Sequence, residues 1–216
     1  MPEASEAHPA NTPTGGTPTG GATADASYTE RLVTLEQSGI KRLLPTQAPY
    51  RWNLKRLQLG RVLDVGCGVG RNLQNCDPGS VGVDHNETSV ATARSRGLIA
   101  YTADEFENDP ELSRPGAFDS MLVAHVLEHL DLDTCEQLLK SYLPSIRSGG
   151  KVVLITPQAA GYKSDPTHVR FVDFEGLRTY AERAGLRVDR SYSFPLPEAA
   201  GKVFKYNEYV LVGIVP

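Results

Sequence analysis

From Ser27 onward the apolar positions follow two periods in turn. Leu32, Leu35, Ile40 and Leu43 lie near helical spacing until Pro45 stops the run, and Tyr50–Leu57 predicts a second short helix. Beyond it come five short apolar runs of strand length: Arg61–Val65, Ser80–Asp84, Leu98–Thr102, Phe118–Ala124 and Lys151–Thr156. Helical patterns at Arg71–Cys76, Thr88–Arg96, Leu132–Ile146 and Phe174–Ala184 alternate with them. Gly149-Gly150 is expected to stop the third of these helices and Gly185 the fourth. Leu186–Phe194 and Val203–Val215 read as two closing strands.

Strands separated by helices call for right-handed crossovers, hence a sheet covered on both faces. The expectation is an α/β, Rossmann-like, doubly wound, mostly parallel seven-stranded sheet. No helical pattern joins the last two strands, so the final one is expected to run antiparallel. In such a sheet ligands bind outside the carboxyl ends of the strands. The places to search are therefore just after Val65, Asp84, Thr102, Ala124 and Thr156.

Residues 1–27 carry a duplication, Thr12-Pro-Thr-Gly-Gly then Thr17-Pro-Thr-Gly-Gly, and hold no Leu, Ile, Val, Phe, Tyr or Trp. They cannot bury enough apolar surface to offset ordering the backbone, at about 1–2 kcal/mol per residue, and read as a disordered tail. Residues 28–58 then form a helical cap and 59–216 the main domain. The chain of 216 residues has a formal net charge of −4, which speaks against a nucleic-acid partner. No apolar run approaches the ~18 residues of a membrane span, and no secretory signal is visible. Three cysteines without zinc-ligand spacing (Cys67, Cys76 and Cys135) suit a reduced, cytoplasmic protein.

The first strand end reads Asp64-Val-Gly66-Cys67-Gly68-Val-Gly70. Glycines here let the chain turn sharply and admit a ligand without a Cβ in the way. Dinucleotide folds place a third glycine at the position held here by Arg71, which weakens a nicotinamide reading. Asp84, ending the second strand, can accept two hydrogen bonds from a ribose diol, a device common to both cofactor classes. After the third strand, Asp104 or Glu105 can accept from an adenine amino group while Phe106 packs on the ring.

With these features in order, the sequence from Arg61 to the C-terminus resembles the class I S-adenosylmethionine-dependent methyltransferases. The matching stretches are the glycine loop, Asp84, Asp104 and Phe118-Asp-Ser-Met-Leu-Val-Ala-His-Val-Leu-Glu-His-Leu130. The resemblance implies S-adenosylmethionine as cofactor. Gly66, Cys67, Gly68 and Gly70 would wrap its methionine part, Asp64 would help hold the amino group, Asp84 would take the ribose, and His85 would also bind the cofactor. Asp104 or Glu105 would meet adenine, and Ala124 would close the end of the fourth strand. Arg51 and Arg71 are candidates for a charge-assisted pair with the methionine carboxylate.

Methyl transfer leaves activation to the cofactor and alignment to the protein. The Asn- or Asp-Pro-Pro-aromatic turn of amide and adenine N-methyltransferases is missing after strand four. A hydroxyl acceptor needs its proton removed by a base or a metal. His125, Glu128 and His129, at i, i+3 and i+4, would share a helix face. His168, which Asp165 can orient, follows strand five and flanks the same crevice. The layout is similar to the small-RNA 2′-O-methyltransferases, in which a divalent ion grips a sugar diol. His125 stands where they carry a glutamate, which opens the set to softer ions or leaves His125 as a base.

The segments left to hold an acceptor are Tyr50-Arg51-Trp52, Gln158–Phe171 and Pro195–Tyr209. They are aromatic and polar, with Lys202, Lys205, Tyr206 and Asn207 in the last. That lining suits a small hydroxylated molecule better than an acyl chain. In this respect the chain is similar to small bacterial sugar O-methyltransferases, such as those of methylmannose polysaccharide synthesis.

Overall fold

The structure, a computed structural model, describes Thr29, Glu30, Val33 and residues 48–216. The tail at 1–27 lies outside the described residues, as does the predicted helix over 32–43 except for Val33. The second predicted helix is present as α1 (Ala48–Arg56).

Seven strands form one sheet: β1 (Val62–Val65), β2 (Val81–Asp84), β3 (Ala100–Thr102), β4 (Phe118–Ala124), β5 (Ile146–Pro157), β6 (Arg187–Phe194) and β7 (Glu208–Ile214). Their order is β3-β2-β1-β4-β5-β7-β6. The pairs from β3 to β5 are parallel, whereas β7 pairs antiparallel with both β5 and β6. The expected antiparallel last strand is present. It inserts between β5 and β6 rather than lying at the edge. The central strands read as unbroken apolar runs because both faces are covered: Met121, Leu122 and Val123 are fully buried, as are Val152, Val153 and Leu154.

Five of the described helices start on side-chain caps. In α2 (Glu87–Ser95) the Asn86 side chain accepts from the Ser89 N–H, and Gly97, at φ +79°, follows its end. In α5 (Leu132–Tyr142) Asp131 accepts from the Thr134 N–H, and in α7 (Phe174–Arg183) Asp173 accepts from the Gly176 N–H. Thr102 and Glu105 form a reciprocal capping box that starts α3 (Ala103–Asn108); α4 (Pro110–Ser113) follows at once.

The structure corrects several boundaries. Arg71–Cys76 is not an α-helix; one 3₁₀ turn, Leu73–Asn75, follows the glycine loop. Only ten residues separate Gly70 from Val81, and the Gln74 and Asn75 side chains bond back to the Arg71 carbonyl instead of facing a helix neighbour. The helix from Leu132 ends at Tyr142 because Pro144 enters a 3₁₀ turn, Leu143–Ser145. Gly149-Gly150 therefore lies inside β5, where the register against β4 shifts. A Cβ on Gly150 would sit 2.7 Å from both the Asp119 and Arg147 carbonyl oxygens, so a close backbone approach, not a helix stop, requires glycine there. Residues 203–207 precede β7 rather than forming part of it, after a short α6 (Ala159–Tyr162) and a 3₁₀ turn, Glu198–Lys202, have packed against each other. Among the described residues, no helix is long and apolar enough to cross a membrane.

Candidate active site

A cavity of about 540 Å³ opens at the carboxyl edge of β1, β2 and β4. One wall is the loop after β1. The Gly66 and Cys67 N–H groups donate to the Val83 carbonyl at 2.8 and 3.1 Å, and the Gly68 N–H donates to Asp84 Oδ2 at 2.8 Å. Gly66 has φ +73°, and a Cβ on it would lie 2.3 Å from Val126 Cγ2. Gly70 plays a different part from the one expected. A Cβ there would meet Leu98 Cδ1 at 2.2 Å, so it seats the loop against the turn before β3, outside the cavity lining. Cys67 lines the cavity while packing against Gly82.

Asp84 is tied on both oxygens, Oδ1 accepting from the Asn86 N–H at 2.9 Å and Oδ2 from Gly68. Each carboxylate oxygen keeps a second acceptor position, so the group remains able to receive a diol. His85 also lines the cavity, with Nδ1 3.5 Å from Asp84 Oδ1. Ala124 closes the floor at the end of β4.

Beneath the loop, Asp64 is buried, and its Oδ2 lacks a hydrogen-bond partner among the described residues. Burial, then the Asp84 charge, pushes its pKa up to about 7, against a hydrogen bond from the Leu73 backbone. An unfolded Asp loses its proton near pH 4. The folded chain therefore binds the proton more tightly, and stability from this group is greatest below that value and is lost as pH rises to about 7. Asp64→Asn is expected to flatten this dependence and raise the melting temperature at pH 8 relative to wild type. Each tenfold difference in proton affinity between the folded and unfolded chain amounts to about 1.4 kcal/mol. Melting curves from pH 4 to 8 check it.

Three cofactor candidates are placed elsewhere. Arg51 is exposed on α1 and lies outside the cavity lining, whereas Arg71 lines it. Asp104 and Glu105 face away; Glu105 is committed to Arg94 and the Thr102 N–H. At that end Ala103 and Glu107 line the cavity instead, and the capping box commits the Glu105 side chain to the Thr102 N–H.

Across the cavity stand His125 and His129. His125 is not on a helix: it takes φ +60°, and a 3₁₀ turn, Leu127–His129, follows. Its Nε2 lies 2.9 Å from Glu208 Oε1 and its Nδ1 3.3 Å from Glu128 Oε1. Loss of surrounding water works against charge on His125, yet the Glu128 and Glu208 carboxylates outweigh it and raise its pKa to about 10. That direction favours the charged ring, whereas the sequence left His125 open as a ligand to a softer ion or as a free base.

Glu128 is fully buried, and neither oxygen has a hydrogen-bond partner among the described residues. The loop after β5 folds back onto it, the Val169 and Arg170 N–H groups donating to its carbonyl. This brings His168 Nε2 to 3.9 Å from Glu128 Oε1. His168 Nδ1 is held by the Tyr162 carbonyl at 2.7 Å, and the ring stacks on Tyr162. His129 Nδ1 lies 3.1 Å from the Thr167 carbonyl, and burial lowers its pKa. Asp165 Oδ1 takes the Thr167 N–H and hydroxyl, and its carbonyl accepts the His168 N–H at 3.3 Å, while the His168 ring itself is held at Nδ1 by Tyr162. Ligand atoms of Glu128, His129 and His168 lie within 4.8 Å of one another, and His125, turned toward Glu208, stands outside that group.

Glu208 was not visible to a search after strand ends. Because β7 runs antiparallel, its first residue lands on the ligand edge, and the predicted direction of that strand was the signal. Tyr50 lines the cavity too, its hydroxyl donating to the Tyr206 carbonyl at 2.5 Å. Trp52 does not line the cavity; it stacks on Phe194 at the sheet edge under Arg56.

A glycine loop, a doubly anchored strand-end acid and a cavity over a seven-stranded sheet with an antiparallel β7 define the class of S-adenosylmethionine-dependent methyltransferases. A family model described as a methyltransferase domain matches residues 34–191, and the chain belongs to that family. A tabtoxin biosynthesis enzyme of Pseudomonas amygdali pv. tabaci is 26% identical over 167 residues, 72% of this chain, and the chain spans 65% of that relative's length. An S-adenosylmethionine-dependent methyltransferase from Archaeoglobus fulgidus has a similar fold, with TM-score 0.63, 22% identity and coverage of 85% of this chain and 99% of that one. Magnesium protoporphyrin IX methyltransferase from Synechocystis PCC 6803, solved with S-adenosylhomocysteine, gives TM-score 0.62 at 15% identity, covering 90% and 97%.

Proposed function

We propose that the protein is an S-adenosylmethionine-dependent O-methyltransferase acting on a hydroxyl of a small polar acceptor, a sugar or related polyol. The observation that supports the reading is the cluster of Glu128, His129 and His168, of which His129 lines the cavity while the other two lie outside its lining. An amine acceptor would need no such group; a hydroxyl does.

The cofactor would supply a methyl group on a sulfonium. The residues present fit it: Asp84 offers acceptor positions to a ribose, Asp64 leaves a buried oxygen unsatisfied, and at Gly66 a Cβ would strike Val126. Glu128, His129 and His168 also fit a divalent ion, which would lower the pKa of an acceptor hydroxyl. The buried carboxylate receives no hydrogen bond from the described residues, its near contact being His125 Nδ1 at 3.3 Å, and His129 and His168 each have Nδ1 against a backbone carbonyl, the arrangement that turns Nε2 toward a metal. Nitrogen donors with one carboxylate favour manganese, iron or zinc over magnesium.

Purified chain incubated with S-adenosylmethionine, manganese or zinc, and a panel of sugars, cyclitols and amines tests this by mass spectrometry and NMR of the products. The expected product carries its methyl on oxygen, and a chelator lowers the rate about tenfold or more. Methylation confined to nitrogen or carbon contradicts the reading.

A further inference from the structure

We propose that Glu208 selects the acceptor: its carboxylate takes a hydrogen bond from an uncharged or amino-bearing polyol and turns away one with a negative charge at that position. The assignment rests on the O-methyltransferase reading.

Glu208 is held in place more firmly than a residue that only covers the sheet end. It is paired with Pro157 of β5 and Phe194 of β6. Its carbonyl accepts from Gln158 Nε2 at 3.1 Å. Asn207, just before it, donates to Gln158 Oε1 and accepts from the Leu196 N–H, both at 2.9 Å. The chain entering β7 is thus pinned from three sides, and the carboxylate starts from a fixed backbone.

That carboxylate lines the cavity with its side chain only 12% exposed. Oε1 is taken by His125 Nε2, whereas Oε2 receives no hydrogen bond from the described residues. The single imidazole is shared with Glu128, so two carboxylates flank one ring. An oxygen that opens on the cavity without a donor from the described residues is available to an acceptor N–H or O–H, which would take the place of water there. A carboxylate or phosphate arriving there would instead meet like charge in poorly hydrated surroundings. The aromatic Tyr50 beside it, its hydroxyl already committed to Tyr206, offers a face for a sugar ring without competing for Oε2.

The test compares, at saturating S-adenosylmethionine, a neutral hexoside, the matching amino sugar and the matching uronic acid. The full chain is expected to favour the first two in kcat/KM. Glu208→Gln is expected to narrow that preference about tenfold, chiefly through KM, with S-adenosylhomocysteine affinity kept within about twofold. Glu208→Asp is expected to retain the preference. An unchanged preference in Glu208→Gln, a wild-type preference for the uronic acid, or loss of S-adenosylhomocysteine binding in the variant overturns the assignment and leaves O-methylation standing. Failure of the wild-type chain to form an O-methyl product from any hydroxylated compound removes the O-methyltransferase reading, and this assignment with it.

Discussion

Asp84→Ala is expected to bind S-adenosylhomocysteine about a hundredfold more weakly than the wild-type chain. A hydrogen bond to a charged group contributes about 1.5–3 kcal/mol, and a ribose diol would make two. Asp84 also receives the Gly68 and Asn86 N–H groups, so its removal loosens the glycine loop and the start of α2 together. Asp84→Asn separates the two parts. The amide keeps a single acceptor oxygen for one of those N–H groups and loses the charge. Titration calorimetry reads the affinities, and melting curves show that both variants remain folded. Affinity within about threefold of wild type in Asp84→Ala would mean the ribose lies elsewhere.

Glu128→Gln is expected to lower methyl transfer at saturating substrates about a hundredfold while leaving the melting temperature of the ligand-free chain unchanged or raised. Stability and activity part here because the wild-type carboxylate is fully buried and takes no hydrogen bond from the described residues, while its charge partner His125 keeps Glu208 as a second partner in the variant. A neutral amide of the same shape is cheaper to bury. The variant also loses the carboxylate that would complete a metal site. For the wild-type chain, a divalent ion at a hundred times its Kd stabilises by about 2.7 kcal/mol, a rise of roughly 5–10 °C for a chain of this size. Manganese and zinc are expected to produce that rise in wild type and little of it in Glu128→Gln. Equal rises in both would place the ion elsewhere.

The strands were legible because parallel strands buried on both faces leave uninterrupted apolar runs, as in Met121-Leu122-Val123 and Val152-Val153-Leu154. The glycine loop and Asp84 were legible because backbone geometry and a strand end fix where they sit. Residues 103–113 gave no helical period, since α3 and α4 are six and four residues long and parted by Asp109, too brief for an apolar stripe to repeat. The positions of the adenine candidates followed the same blind spot: the capping box that starts α3 uses Glu105 and turns it outward.

On the opposite wall, spacing was informative in part. Glu128 and His129 do face His168, but the i, i+3, i+4 rule assumed a helix that His125, at φ +60°, does not join. That backbone conformation is what sends His125 to Glu208, eighty-three residues away in the chain. No local pattern encodes such a pair. It arises only once β7 has been placed antiparallel beside β5.

Most depends on whether the cavity at the β1 edge holds an S-adenosyl group and not a dinucleotide. Calorimetric titration of the purified chain with S-adenosylhomocysteine and, separately, with NAD tests this directly. Saturable heat from S-adenosylhomocysteine at micromolar concentrations, abolished by Asp84→Ala, with none from NAD, is the predicted result. Binding of NAD together with silence toward S-adenosylhomocysteine at millimolar concentrations would contradict it.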